Sequence, residues 1–152
     1  MEAIEYIIQL ILDANTQERI RSVWRVLAAR GINPLGLPSD AIPHVPILTS
    51  ARFPLGALSG DLDSLAAHFE PFEITFSHFG IFQVSHPVLF LGVTHTATLT
   101  TLHRRIYDLI SPTTDFAFAK PDASVFHCAL GFVLRPQDLR SQRPHLQQGH
   151  RQ

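Results

Sequence analysis

Residues 5–32 read EYIIQLILDANTQERIRSVWRVLAARGI, and the order of side chains here decides what fold the chain can adopt. The run Ile4 to Leu12 is β-branched and aliphatic, with the length and flanks of a mostly buried strand. Asn15 and Glu18 follow at capping-box spacing. Ile20, Val23, Trp24 and Leu27 then recur at i, i+3, i+4 and i+7, closed by Gly31, which predicts an amphipathic helix. Sliding the chain on itself by 79 residues repeats the pattern: Leu10 falls on Leu89, Leu12 on Leu91, Ile20 on Leu99, Val23 on Leu102, Arg25 on Arg104 and Leu27 on Ile106. Each half reads strand, helix, loop and a strand that begins with histidine, His44 in the first half and His127 in the second.

Outward from this repeat, Pro34, Pro38 and Pro43 make an extended loop that delivers the chain to a short strand over 41–50, and Pro46 confines that strand to an edge or an irregular pairing. A turn region over 52–60 precedes Leu62, Leu65, Ala66 and Phe69, a second helix with Asp61 in its first turn. Residues 72–83 alternate as a strand with a kink near Gly80, its phenylalanines expected in the core. Residues 88–93 form the next strand, and Leu99, Leu102, Ile106 and Leu109 mark a third helix, stopped by Ser111-Pro112. Residues 125–134 form the last strand. Residues 1–134 are thus expected to make one domain, and 135–152 a polar, mobile tail with a local excess of arginine (Arg135, Arg140, Arg143 and Arg151 against Asp138).

Composition narrows the function classes. The 152 residues make one domain's worth of core, and 45% hydrophobic with 16% charged residues is a folding composition. A formal net charge of −1 gives no general basic field, so binding of long duplex nucleic acid is not expected and any polyanion site must be local. The single Cys128 excludes an intramolecular disulfide framework and suits a reducing compartment. Glu2 and Glu5 stand where an export signal would carry basic residues, and no apolar run is long enough to span a bilayer. A cytoplasmic protein without membrane contact is the expectation.

If the halves pack about a pseudo-dyad, His44 and His127 enter one groove from opposite sides. At neutral pH one imidazole can accept a proton while the other donates, the pairing that phosphodiester cleavage needs on the two sides of phosphorus. The quartets His44-Val45-Pro46-Ile47 in IPHVPIL and His127-Cys128-Ala129-Leu130 in VFHCALGF lie 83 residues apart. They resemble the paired His-x-Thr/Ser-x motifs of the 2H phosphoesterases, the superfamily of the 2′-5′ RNA ligase and cyclic phosphodiesterase group. The similarity extends to the opening strand and helix, to FSHFGIFQVSHPVLFLGV and to LHRRI, covering roughly residues 3 to 134.

The resemblance implies an α+β fold, a two-lobed single domain of two mainly antiparallel sheets flanked by helices with a central groove. It implies His44 and His127 as catalytic residues that open a 2′,3′-cyclic phosphate on an RNA end or small nucleotide, without metal or other cofactor. Which histidine is acid and which is base stays open, as does the oligomeric state. Two departures stand out. Pro46 and Ala129 replace the family's third-position hydroxyls, which hydrogen-bond the phosphate; Ser50, Arg52, Thr49 and Ser124 are nearby substitutes. The residues past the second motif, 137–152, lack the apolar face of the helix and strand that relatives carry, so one sheet is expected to be a strand short. The rival readings are a binding module of the same fold that has lost turnover, and a structural protein whose groove is filled by side chains. His78, His86 and His95 are read as turn residues, His103 as a packing or surface residue, Arg25, Arg104 and Arg105 as surface charges. Cys128 points away from His127 by strand alternation.

Overall fold

The computed structural model describes residues 6–32, 41–50, 55–84, 86–110 and 124–132. Arg52 and the tail after residue 132 lie outside the described residues, as does the expected stop at Ser111-Pro112. Among the described residues the chain runs β1 (Tyr6–Ile11), α1 (Ala14–Ala29), β2 (His44–Ser50), α2 (Leu55–Ala67), β3 (Phe76–Phe82), β4 (Val88–Val93), α3 (Ala97–Ile110) and β5 (His127–Phe132). The fold is α+β, with two antiparallel sheets: β1-β2, and β3-β4-β5. No helix among the described residues is long and apolar enough to cross a membrane.

The repeat is visible in the strand registers. In the first sheet Ile11 pairs with His44, Leu10 with Val45, Gln9 with Pro46 and Ile8 with Leu48. In the second, Gly92 pairs with His127, Leu91 with Cys128, Phe90 with Ala129 and Leu89 with Gly131. Each ladder therefore skips one residue three positions past its histidine, Ile47 in β2 and Leu130 in β5, and both skipped residues are buried. The histidine strands β2 and β5 correspond at a shift of 83 residues, and β1 and β4 at 81, not 79, because Leu10 corresponds to Leu91 rather than Leu89. These shifts differ by whole strand periods and so preserve the facing of every side chain, which is why the gapless slide still aligned the apolar positions.

Helix packing crosses between the halves. α1 lies against β5 and α3 against β2. The Trp24 indole N–H donates to the Ala129 carbonyl at 3.1 Å, tying the first helix to the second histidine strand. α3 buries Leu99, Leu102, His103, Ile106 and Ile110 on one stripe. Each fully buried leucine or isoleucine there is worth roughly 1.5–3 kcal/mol over exposure. Val45, Leu48, Phe126 and Leu130 complete the centre of the core.

Three local expectations are corrected. α1 is capped by Asp13, not Asn15: the Thr16 backbone N–H donates to Asp13 Oδ1 at 3.0 Å and the Thr16 hydroxyl to Oδ2, bonds that lower the Asp13 pKa, while Glu18 pairs instead with Arg25 at 2.7 Å. α2 starts at Leu55, so Asp61 sits mid-helix. Buried Leu58 extends the Leu62 and Leu65 stripe backwards, and Gly56 and Gly60 face open space where a missing side chain costs only helix propensity. β3 begins at Phe76 rather than 72, and its register irregularity lies between Phe76 and His78, not at Gly80.

Candidate active site

β2 and β5, on separate sheets, run next to each other through the middle of the molecule. Each opens on its histidine, and the two rings are held alike. His44 Nδ1 is 2.7 Å from the Ile42 carbonyl, and His127 Nδ1 is 2.8 Å from the Val125 carbonyl. A carbonyl only accepts, so both rings carry their proton on Nδ1 and leave Nε2 to take or give one. The residue two positions upstream thus sets tautomer and ring orientation in both halves.

Directly opposite partners in an antiparallel ladder share a face. The rungs Ile11/His44 and Gln9/Pro46 therefore share one face of the first sheet, and Gly92/His127 and Phe90/Ala129 one face of the second, the two faces that bound the candidate groove. Val45 and Cys128, the intervening residues, are buried in the core. The rings share one electrostatic environment: burial holds the His127 pKa below the ordinary histidine value, the bond to the Val125 carbonyl opposes this, and the charge of His44 depresses it further. β2 and β5 touch again behind the rings, where the backbone N–H of His44 faces the Cys128 sulfur. Burial outweighs that contact and pushes the thiol up to about 11, which makes Cys128 a packing residue and no nucleophile.

The two walls of the groove are unlike. On the second sheet Phe82 and Phe90 stack with centroids 4.2 Å apart, and the His127 ring stands edge-on to both, at 4.7 and 5.5 Å. This stack needs a glycine beneath it, because a Cβ on Gly80 would lie 2.2 Å from Phe90 Cζ. Phe82 is thereby part of the site's wall and not core, unlike Phe72 and Phe76, which pack against the core cluster. The first wall carries Ile7, Gln9 and Ile11 from β1, with Ile7 and Ile11 exposed.

At the third motif positions, Pro46 and Ala129 share the faces of their histidines and bring no side-chain donor. Ser50 does not line the groove. It is 1% exposed and pairs with Tyr6, which packs on the core cluster, because the skipped residue Ile47 inverts the alternation counted from His44. The same inversion turns Thr49, paired with Ile7, to the groove face, and its buried Oγ1 has no hydrogen-bond partner. Ser124 lies 3.5 Å from His103 Nε2, inside the core. Arg25, Arg104 and Arg105 are exposed, the first in its pair with Glu18 and the last over the Phe69 ring at 5.4 Å. His103 is fully buried against Phe126.

His78 is the residue the sequence reading misplaced. It lies within β3, not in a turn, on the rung that continues through Gly92 to His127. Its ring leans over Gly92, where a Cβ would lie 2.2 Å from Cε1 and 2.3 Å from Nε2. The Ser77 hydroxyl lies 2.9 Å from Nδ1. The signal in the sequence was Gly92 itself, an unexplained glycine in the apolar run VLFLGV.

No curated protein matches the chain. A family model described as the 2′-5′ RNA ligase superfamily matches residues 34–151, a span that includes both histidine strands, α2, β3, β4 and α3. With paired histidine strands on two antiparallel sheets and a match over most of its length, the chain belongs to the 2′-5′ RNA ligase superfamily.

Proposed function

We propose that the protein hydrolyses 2′,3′-cyclic phosphodiesters at RNA ends or on small nucleotides, with His127 as general base and His44 as general acid. The reading is carried by the matched pair of imidazoles, each tethered through Nδ1 with Nε2 free for proton transfer. His127 takes the base role because burial and the neighbouring His44 charge favour its neutral form. Water attacks phosphorus and gives its proton to His127 Nε2. The bond from phosphorus to the 3′-oxygen breaks, and that oxygen takes the Nε2 proton of His44, which enters the step as the imidazolium and leaves it as the neutral Nδ1–H ring. The product is a 2′-phosphate with a free 3′-hydroxyl. Exchange with solvent returns both rings to their starting states.

The test is hydrolysis of 2′,3′-cyclic AMP by the wild type, His44→Ala and His127→Ala. Turnover by the wild type and its loss in both variants supports the proposal; turnover that survives in either overturns it. The base role adds a pH signature: the rate falls as acidification protonates His127, so the acid limb of kcat/KM lies below the ordinary histidine value of 6.5. The second reading, a binding module without turnover, is favoured by the donor-less Pro46 and Ala129. It is the outcome if 2′-AMP or 3′-AMP binds in the groove and no cyclic nucleotide is opened.

A further inference from the structure

Three groups on the second sheet occupy a single rung: His78 on β3, Gly92 on β4 and His127 on β5. Neighbouring strands lie about 4.8 Å apart, so His78 and His127 stand two strands, roughly 10 Å, from each other at the backbone. The rung's middle position has no side chain, and the His78 ring fills that space, with Cε1 and Nε2 the atoms closest to where a Gly92 Cβ would be. The ring is thereby carried over β4 toward His127, and its edge meets Phe90, 6.3 Å away between centroids, the same ring that His127 touches. The Ser77 hydroxyl, 2.9 Å from Nδ1, can donate to or accept from it; in the tautomer where it donates, the ring's proton is on Nε2, the nitrogen over Gly92.

Ala129, one groove-facing step along β5 from His127, offers a bound phosphate nothing. We propose that His78 supplies the missing donor: its Nε2–H binds a non-bridging phosphoryl oxygen of the substrate and product held at His127, through the opening over Gly92. This rests on the phosphodiester reading of the same groove. Gly92 is in this view a functional glycine, required so that an imidazole from one strand can reach a phosphate beside another.

The experiment compares the wild type with His78→Ala, His78→Gln, Gly92→Ala and the double variant His78→Ala/Gly92→Ala. Two readouts are used, kcat/KM for 2′,3′-cyclic AMP and the affinity for 2′-AMP measured calorimetrically, with melting temperature as a fold control. His78→Ala is expected to lower kcat/KM on the order of 10²-fold and to weaken 2′-AMP, while His78→Gln, which keeps an N–H donor, restores part of both. Gly92→Ala should reproduce the His78→Ala defect by expelling the ring, and should add little in the double variant. Loss in His78→Ala without any recovery in His78→Gln overturns the donor role. So does wild-type kcat/KM and 2′-AMP affinity in His78→Ala when His44→Ala is inactive, a result that leaves the phosphodiester reading standing. A wild type that binds 2′-AMP without turnover removes the hydrolase reading alone, and His78 is then judged on affinity. A wild type that does neither overturns both.

Discussion

At the scale of single residues, the groove depends on what is absent as much as on what is present. Gly80 and Gly92 are floor positions on which neighbouring rings lie, and Pro46 and Ala129 are wall positions without a donor. Gly80→Ala must displace the Phe90 ring, and overpacking of this kind costs about 1–3 kcal/mol; urea unfolding should show the loss, with Phe82 stacking disturbed alongside. Ala129→Thr puts a hydroxyl on the groove face beside His127; with His78 already supplying a donor it is expected to leave kcat/KM for a cyclic nucleotide nearly unchanged in the wild type and to recover part of the roughly 10²-fold loss in His78→Ala. A large gain in the wild type would mean that no donor is supplied there. Both histidines and both donor-less positions were legible in the sequence because a four-residue motif keeps its parity up to the third position. Ser50 was misread because the skipped Ile47 reverses that parity, and a skipped residue leaves no mark in composition. His78 was missed because its importance comes from a glycine fourteen residues later, a relation that exists only once β3 and β4 pair.

At the scale of elements, strands and helices carry the repeat with different tolerances. β1 and β4 match at a shift of 81, while the histidine strands β2 and β5 and the helix caps, Asp13 and Thr96, match at 83; Thr96 Oγ1 accepts from the Leu99 backbone N–H at 3.2 Å as Asp13 accepts from Thr16. A shift of 79 differs from 83 by about one helical turn and from 81 by one strand period, so one slide found both stripes and misplaced their ends. α1 was legible from its stripe, and α2 was under-read because its first two turns hold two glycines that mimic a loop. The cross-packing of α1 on β5 was not legible at all, since nothing in either segment names its partner. Trp24→Phe keeps the ring and removes its bond to the Ala129 carbonyl. Stability should fall by about 0.5–1.5 kcal/mol in urea, with the His127 ring resonances shifting as β5 loosens.

At the scale of the whole molecule, one buried histidine, His103, and one half-buried, His127, shape the response to acid. Burial lowers the pKa of His103, with the His95 charge adding to it, and burial also lowers that of His127. The unfolded chain therefore binds protons that the native state refuses, so stability is full above pH about 6.5 and declines as the pH falls from there toward the depressed folded values. Urea midpoints at pH 7.5 and 5.5 should show the decline, and His103→Leu should reduce it. The sheets differ as well: β1-β2 is a pair, and two strands alone are marginal without packing, whereas β3-β4-β5 has a third. Amide exchange is expected to be faster in β1 than in β4.

Among the described residues only the second sheet has a third strand, and the two histidine-bearing faces are lined differently. In the proposed hydrolysis a flat aromatic stack flanks the phosphate on the His127 side and short aliphatic chains flank it on the other. A guest with one planar end and one sugar end would then have two orientations of unequal contact energy, and the unlike linings would select which oxygen departs.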